Sequence, residues 1–587
     1  MKQLFKTFSK AMIAGTMGGL AACQSGIIGT GPTLQRSVLY SDQALPESTA
    51  TTAMVTGTTG AAAQQAGVDI LRAGGTAADA AVGTAMKQIC LAAGAWVSYA
   101  GIMNVVYYEA ATGKVYNMNA SYNTVAGETD PASIPPVEFS RRHSKAAIAP
   151  NGRSVLVPGF MKGADELVKR FGRLSLAEVV APSVQCAEQG FTWHEVPDQI
   201  FAFRKDLLAR DAETKAVFTS PNGDNYQVGE TFRQPALAQT LKAFSQKGAD
   251  YIYKGPWAKK LVDKVQAMGG KLSLADMAGY EVIWSEPLST QYHGYDVYVH
   301  GLPAVGGVAT VEAMELSELA KLPSMGHYSE SPEALLWMSN ITRVGISMTY
   351  AAELVGKALS MDLSPQSRLK PEVNEKIWQL IKAGHFPGVV SPKKIVPAHS
   401  DGVVVIDQWG NIATMVHTIN TEMWGTTGLF VDGVSIPDSA SIQVPQVAAV
   451  TPGERLPDPT NPGLVLKDGK PFLGFASIGA GLHQRTLSCL ISVLDFGMTP
   501  QQAINAPAWG FLKFDAKDPT KQTQQFGIGD LEPQMIKSLN AMGMEIDEND
   551  TTRGYWIGIQ IDPESGQLKG GSPRALGESL GGRAVGY

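Results

Sequence analysis

Residues 402–419 read GVVVID-QWGN-IATMVHTI, two apolar and β-branched runs around a four-residue turn. Gly402–Asp407 has the continuous apolar texture of a strand covered on both faces, and Ile412–Ile419 returns antiparallel to it through Gln408-Trp409-Gly410-Asn411. Such a hairpin needs cover above and below. Other segments offer the same choice of partners. Asn104–Glu109 and Val115–Asn119 read as a hairpin around Ala111-Thr112-Gly113, and Gly463–Lys467 and Pro471–Ala476 as another around Asp468-Gly469. Gly554–Ile561 reads as a late strand, and Tyr292–His300 as a strand within a mainly helical middle, about 155–385.

Helices alternate with these strands. Ala61–Arg72 is stopped by Gly74-Gly75, and Thr76 with Asp79 makes a capping box opening a helix to about Ala92. Leu174–Gln189, Pro235–Gln246 and Leu482–Leu494 carry apolar residues at helical spacing. Antiparallel hairpins interleaved with helices predict a layered α+β or α/β enzyme.

Composition narrows the function. Hydrophobic residues are 44% and the net charge is -6, which excludes a mostly disordered chain and offers no basic surface for nucleic acid. Four cysteines in 587 residues exclude a disulfide scaffold. Residues 1–22 have a lysine-bearing start (Lys2, Lys6, Lys10) and a short apolar stretch ending Leu20-Ala21-Ala22 before Cys23. This is a signal-peptide pattern that resembles the lipobox of bacterial lipoproteins. Cys23 is then the expected lipidation site, Gln24 after it points to the outer membrane, and 23–50 a flexible tether before folded sequence near Thr51. Cys90, Cys186 and Cys489 lie in apolar runs with no CxxC spacing and are expected as buried free thiols, a reactive thiol being the alternative.

Familiar catalytic motifs are missing: no GxSxG, no Walker A loop, no HExxH, and no two histidines at i, i+4. No metal or organic cofactor is implied. Attention falls on Ser400, in Ala398-His399-Ser400-Asp401-Gly402, a hydroxyl residue at the head of the strong strand. From Met54 to Tyr587 the chain resembles the gamma-glutamyltranspeptidase family of N-terminal-nucleophile hydrolases. The matching runs include AMVTGTTGAAAQQAGVDILRAGGTAADAAVGTA, YIYKGPWAKKLVDKVQAMGGKLSLADMAGYE, SDGVVVIDQWGNIATMVHTINTEMWGT and GLVLKDGKPFLGFASIGAG.

The resemblance implies a four-layer αββα sandwich and a precursor that cuts itself between His399 and Ser400. It implies a large-subunit portion, 51–399, and a small-subunit portion, 400–587, with Ser400 as nucleophile. A free α-amine has a pKa near 7.7–8.0 and can serve as base for its own hydroxyl, so no histidine is needed. Thr418 is implied to support the nucleophile, Asn420 to contact substrate, Gly479-Ala480 to form the oxyanion hole, and Asp438, loosely matched, to bind a substrate amine. Two departures concern the acyl pocket. The family's carboxylate-gripping arginine aligns with Asn119, and its Ser-Ser pair aligns near Asp458-Pro459, which would repel a carboxylate. Arg141 or Arg142 could substitute. The expected substrate is a small amide or gamma-glutamyl compound.

Overall fold

The computed structural model describes residues 45–136, 151–384, 386, 400–479, 481–514, 522–548, 554–573 and 580–587. Fourteen strands form two seven-stranded antiparallel sheets. In chain order they are β1 (Ser48–Ala50), β2 (Met54–Gly57), β3 (Ile102–Glu109), β4 (Lys114–Ala120), β5 (Ile283–Ser285), β6 (Leu288–Tyr292) and β7 (Tyr295–Val299). Then come β8 (Ser400–Ile406), β9 (Ile412–Thr418), β10 (Gly463–Lys467), β11 (Lys470–Ile478), β12 (Tyr555–Ile561), β13 (Leu568–Gly571) and β14 (Ala584–Gly586). The first sheet runs β14-β2-β8-β9-β3-β4-β5 and the second β1-β13-β12-β11-β10-β7-β6.

Side-chain alternation divides the core into three slabs. Val404, Ile406, Val416 and Val106 of the first sheet meet Leu464, Ala476, Ile478 and Ile557 of the second. The opposite face of the first sheet, with Val403, Val405, Met415 and Val105, packs under helices α1 (Ala61–Arg72), α2 (Ala77–Leu91), α3 (Phe160–Phe171) and α4 (Leu176–Gln189). The outer face of the second sheet, with Val465, Leu473, Phe475 and Trp556, packs against α5 (Gly306–Ala320), α6 (Pro332–Leu359) and α7 (Leu482–Leu494). This is the four-layer αββα sandwich that the resemblance implies.

Local chemistry explains the boundaries. Thr76 and Asp79 form the reciprocal capping box that starts α2, and Ser175 with Glu178 does the same for α4. Three expectations are corrected. Tyr292–His300 is not one strand but the heart of a hairpin. Tyr292 pairs with Tyr295, and His293 and Gly294 take φ of 46° and 84°, the positive pair a two-residue turn demands. The end of the supposed tether is ordered, because Ser48–Ala50 pairs with Leu568–Gly570 at the sheet edge. Last, Cys90 and Cys186 are not free thiols.

They form a disulfide joining α2 to α4, with Cα atoms 6.5 Å apart and a sequence separation of 96; Cys489 is the buried free thiol. The packing of the two helices makes the pair, and sequence spacing carries no trace of it. Replacing both cysteines by alanine is expected to cost about 2–4 kcal/mol, read as a lower denaturation midpoint. A reductant should lower the wild-type midpoint and leave that of the double variant unchanged.

Candidate active site

The β8–β9 register sets Ser400 directly opposite Thr418, and the β9–β3 register sets Thr418 opposite Ile102. Ser400 shares its sheet face with Gly402 and Val404, so its side chain belongs to the inter-sheet side, while Asp401 belongs to the helix side. Ser400 is partly exposed at this end of the sheet. A Cβ built on Gly474 would lie 2.9 Å from Val404, and one on Gly402 lies 3.5 Å from Ala476. The same two-residue step carries the end of β11, Ile478 and Gly479, to the level of Ser400. There Gly479 turns the chain at φ 82° toward α7. His399, Ala480, Cys23, Arg141 and Arg142 lie outside the described residues.

Beyond Thr418 the backbone bends sharply. Asn420 takes φ 47° and its N–H donates to Thr418 Oγ1 at 3.1 Å. Asp438 is fully buried against this bend. Its carboxylate accepts from Thr421 Oγ1 at 2.8 Å, from the Thr426 N–H at 2.9 Å and from the Thr426 hydroxyl. Neighbouring Ser439 donates to the Ile419 carbonyl at 2.6 Å. The structure therefore brings Ser400, Thr418, Asn420 and Asp438 into one corner, with Asp438 holding the loop after Asn420 in place.

Asn119 lies two sheet rows further in, opposite Asn104, in the row that runs Gly402, Val416, Asn104, Asn119. Three strand spacings, roughly 14 Å, separate it from β8. It is fully buried, and sequence reasoning missed its partner. Arg455 Nη1 donates to both the carbonyl and Oδ1 of Asn119 at 2.6 Å. The same guanidinium donates through Nε to Asn123 Oδ1 at 2.6 Å and through Nη2 to the Glu281 carbonyl at 2.5 Å, and stacks 4.8 Å from the centre of the Tyr280 ring. The only sequence signal was one arginine in a Pro-rich loop, three residues before Asp458.

Asp458 does not stand open to repel an anion. Its carboxylate accepts from Asn104 Nδ2 at 2.9 Å, from the Ser121 hydroxyl, from the Thr460 N–H at 2.8 Å and from Thr460 Oγ1 at 2.5 Å. These bonds fasten the 455–462 loop to the sheet. Between the loop's two charges sits His300, fully buried, its Nε2 3.3 Å from Asn119 Nδ2. Burial pushes its imidazole down to about 4, with Asp458 opposing and Arg455 assisting, so the ring is neutral at pH 7. Among the described residues no three His, Cys, Asp or Glu side chains gather as a metal site.

A hydroxyl at the head of a central strand, facing the gap of an αββα sandwich, is an arrangement suited to acyl transfer. Residues 63–581 match the family model described as Gamma-glutamyltranspeptidase. The chain belongs to the gamma-glutamyltranspeptidase family. Among relatives, the glutathione hydrolase proenzyme of Bacillus subtilis (strain 168) is 27% identical over 544 residues, covering 86% of this chain and 88% of that protein. The acylase ACY 1 proenzyme of Pseudomonas sp. (strain SE83) is 26% identical, covering 87% and 93%. In fold, the chain is similar to a cephalosporin acylase from Bacillus halodurans, with a TM-score of 0.74, 21% identity and coverage of 95% and 99%. This gamma-glutamyltranspeptidase-family chain therefore has relatives named as a glutathione hydrolase and as an acylase, and it shares the fold of such enzymes.

Proposed function

We propose that the protein is a self-processing amidohydrolase in which Ser400 is both the cleavage point and the nucleophile. The observation that supports this best is the pairing of Ser400 with Thr418 at the open end of the inter-sheet gap. In the precursor, Ser400 Oγ attacks the His399 carbonyl carbon, the His399–Ser400 C–N bond breaks, and an ester to Oγ forms. Water hydrolyses the ester, leaving a carboxylate on His399 and an α-amine on Ser400. That amine then takes the Oγ proton as Oγ attacks a substrate amide. The backbone N–H groups at Gly479 and Ala480 hold the oxyanion. The leaving amine carries the proton away, and water or an acceptor amine resolves the acyl-enzyme.

The acyl pocket is altered around Asn119. A neutral amide stands where the family pattern has arginine, and the nearby Arg455 has four of its N–H groups committed to oxygens of the protein. The favoured acyl group is one without a free α-carboxylate. A second reading, a true glutathione hydrolase, is favoured by relatives of that name and by the guanidinium beside Asn119. N-terminal sequencing of the purified protein tests the common core: a chain beginning at Ser400 supports it, and an intact chain defeats it.

The proposal also places the protein in the cell envelope, anchored through a lipid on Cys23. The disulfide between α2 and α4 accords with export to an oxidising compartment. The mature protein should fractionate with membranes, and Cys23→Ser should release it or stall signal processing. A soluble wild-type protein starting elsewhere than residue 23 would count against the anchor.

A further inference from the structure

The residue after Ser400 is a buried acid that, among the described residues, has no cationic partner. Asp401 is 0% exposed, on the helix side of β8. Its Oδ1 accepts from Thr58 Oγ1 at 2.9 Å and Thr59 Oγ1 at 2.7 Å, and its Oδ2 from Trp96 Nε1 at 3.2 Å. The Thr58 hydroxyl also accepts from the Gly402 N–H at 2.9 Å, so the clamp fixes backbone as well as side chain. Every one of these donors is neutral. Among the described residues, the titratable group facing Asp401 from β9 is its register partner His417. Burial pushes that imidazole down to about 3, and its Nε2 rests 2.9 Å from Gln88 Oε1 of α2. On the far side of that imidazole lies Phe160 of α3, its ring 5.6 Å from that of His417. Among the described residues, only the neutral donors Thr58, Thr59 and Trp96 act on the carboxylate, and no opposite charge balances it.

An uncompensated buried carboxylate costs free energy, and three hydrogen bonds reduce that cost without supplying opposite charge. In the continuous chain burial accordingly raises the carboxyl to about 7. One event supplies a cation one residue away: breakage of the His399–Ser400 bond, whose hydrolysed product carries an α-ammonium on Ser400. We propose that Asp401 is the built-in counter-charge of that ammonium, a positioning residue that holds the new terminus over the site and favours the cut state. This rests on the self-cleavage proposed above. Asp401 thereby has a function of its own. The carboxylate also stabilises the protonated amine, so it raises the pH at which the amine becomes a base.

The test is a thermal-unfolding cycle at pH 8, where Asp401 is ionised. In uncut Ser400→Ala protein, Asp401→Asn should raise Tm by about 2–4 °C, because it removes a charge with no partner. The gain should fade at pH 5, below the native carboxyl's raised value, where the native group is already neutral. In self-cleaved Ser400 protein the same substitution should lower Tm. It should also move the acid limb of kcat/KM for a chromogenic acyl anilide down by about one pH unit, as loss of a nearby charge demands. Asp401→Thr, which also removes the charge, gives the same cycle should the Asn variant fail to fold. A purely structural Asp401 would give losses of equal sign and size in both backgrounds, and that result overturns the inference while leaving self-cleavage intact. A wild-type chain that stays uncut on a denaturing gel overturns both.

Discussion

Ser400→Ala is expected to purify as a single chain, while wild-type protein separates into fragments of roughly 40 and 20 kDa, residues 23–399 and 400–587, on the acyl-shift logic of N-terminal nucleophiles. The effect is all-or-none because the attacking oxygen is the one atom the cleavage cannot do without. Ser400→Thr keeps a hydroxyl and should still cut; the added methyl enters a partly exposed position at the strand's head. Thr418→Ala should slow cleavage without abolishing it. It leaves Ser400 in register but removes the hydroxyl opposite it, which also receives the Asn420 N–H. Loss of that bond frees the bend at Asn420, whose positive φ depends on its surroundings. A denaturing gel with N-terminal sequencing reads all three. Cleavage of Ser400→Ala at the same bond would remove Ser400 from the mechanism.

The second large effect concerns the acyl group. Hydrolysis of simple gamma-glutamyl anilides by processed protein should be weak, roughly 30-fold to several-thousand-fold below that of an enzyme with the arginine clamp, and below its own use of an uncharged acyl anilide. A buried bidentate pair to a substrate carboxylate commonly supplies 2–5 kcal/mol, and Asn119 cannot form one. Asn119→Arg alone should recover little. The space beside residue 119 holds the Arg455 guanidinium, and two cations would face each other there. Asn119→Arg with Arg455→Ala removes that repulsion but also cuts the bonds to Asn123 and Glu281 that hold the 455–462 loop, so partial recovery with reduced stability is expected. Asp458 is a second reason for care. Its carboxylate is enclosed by Asn104, Ser121 and Thr460, and Asp458→Ser should loosen the loop more than it opens a subsite. The measurement is kcat/KM for the two anilides. Equal use of the glutamyl compound would show that Arg455, or Arg141 or Arg142, supplies the positive charge, and would favour the glutathione-hydrolase reading.

The sequence alone determined the local elements and the family. Residue-level signals place them well: the capping residue Thr76, the Asp468-Gly469 turn, and the apolar runs around Gln408–Asn411. These depend on neighbours a few residues away, so short-range chemistry suffices. The His293-Gly294 turn escaped because it lacks the Asn-Gly or Asp-Gly pair that marks such hairpins, and the residues on either side keep strand-forming character. What the tertiary structure decided lies at long range. Cys90 meets Cys186 because two helices pack, Arg455 reaches Asn119 across 336 residues, and Asp401 finds Thr58 and Thr59 across more than 340. No periodicity records such pairs, since each depends on which faces the sandwich turns toward each other. The charge environment follows the same rule. Sequence shows an aspartate beside Ser400, but only the fold shows that it is sealed beneath the helices with neutral donors, because burial is a property of the packed layers and not of the chain.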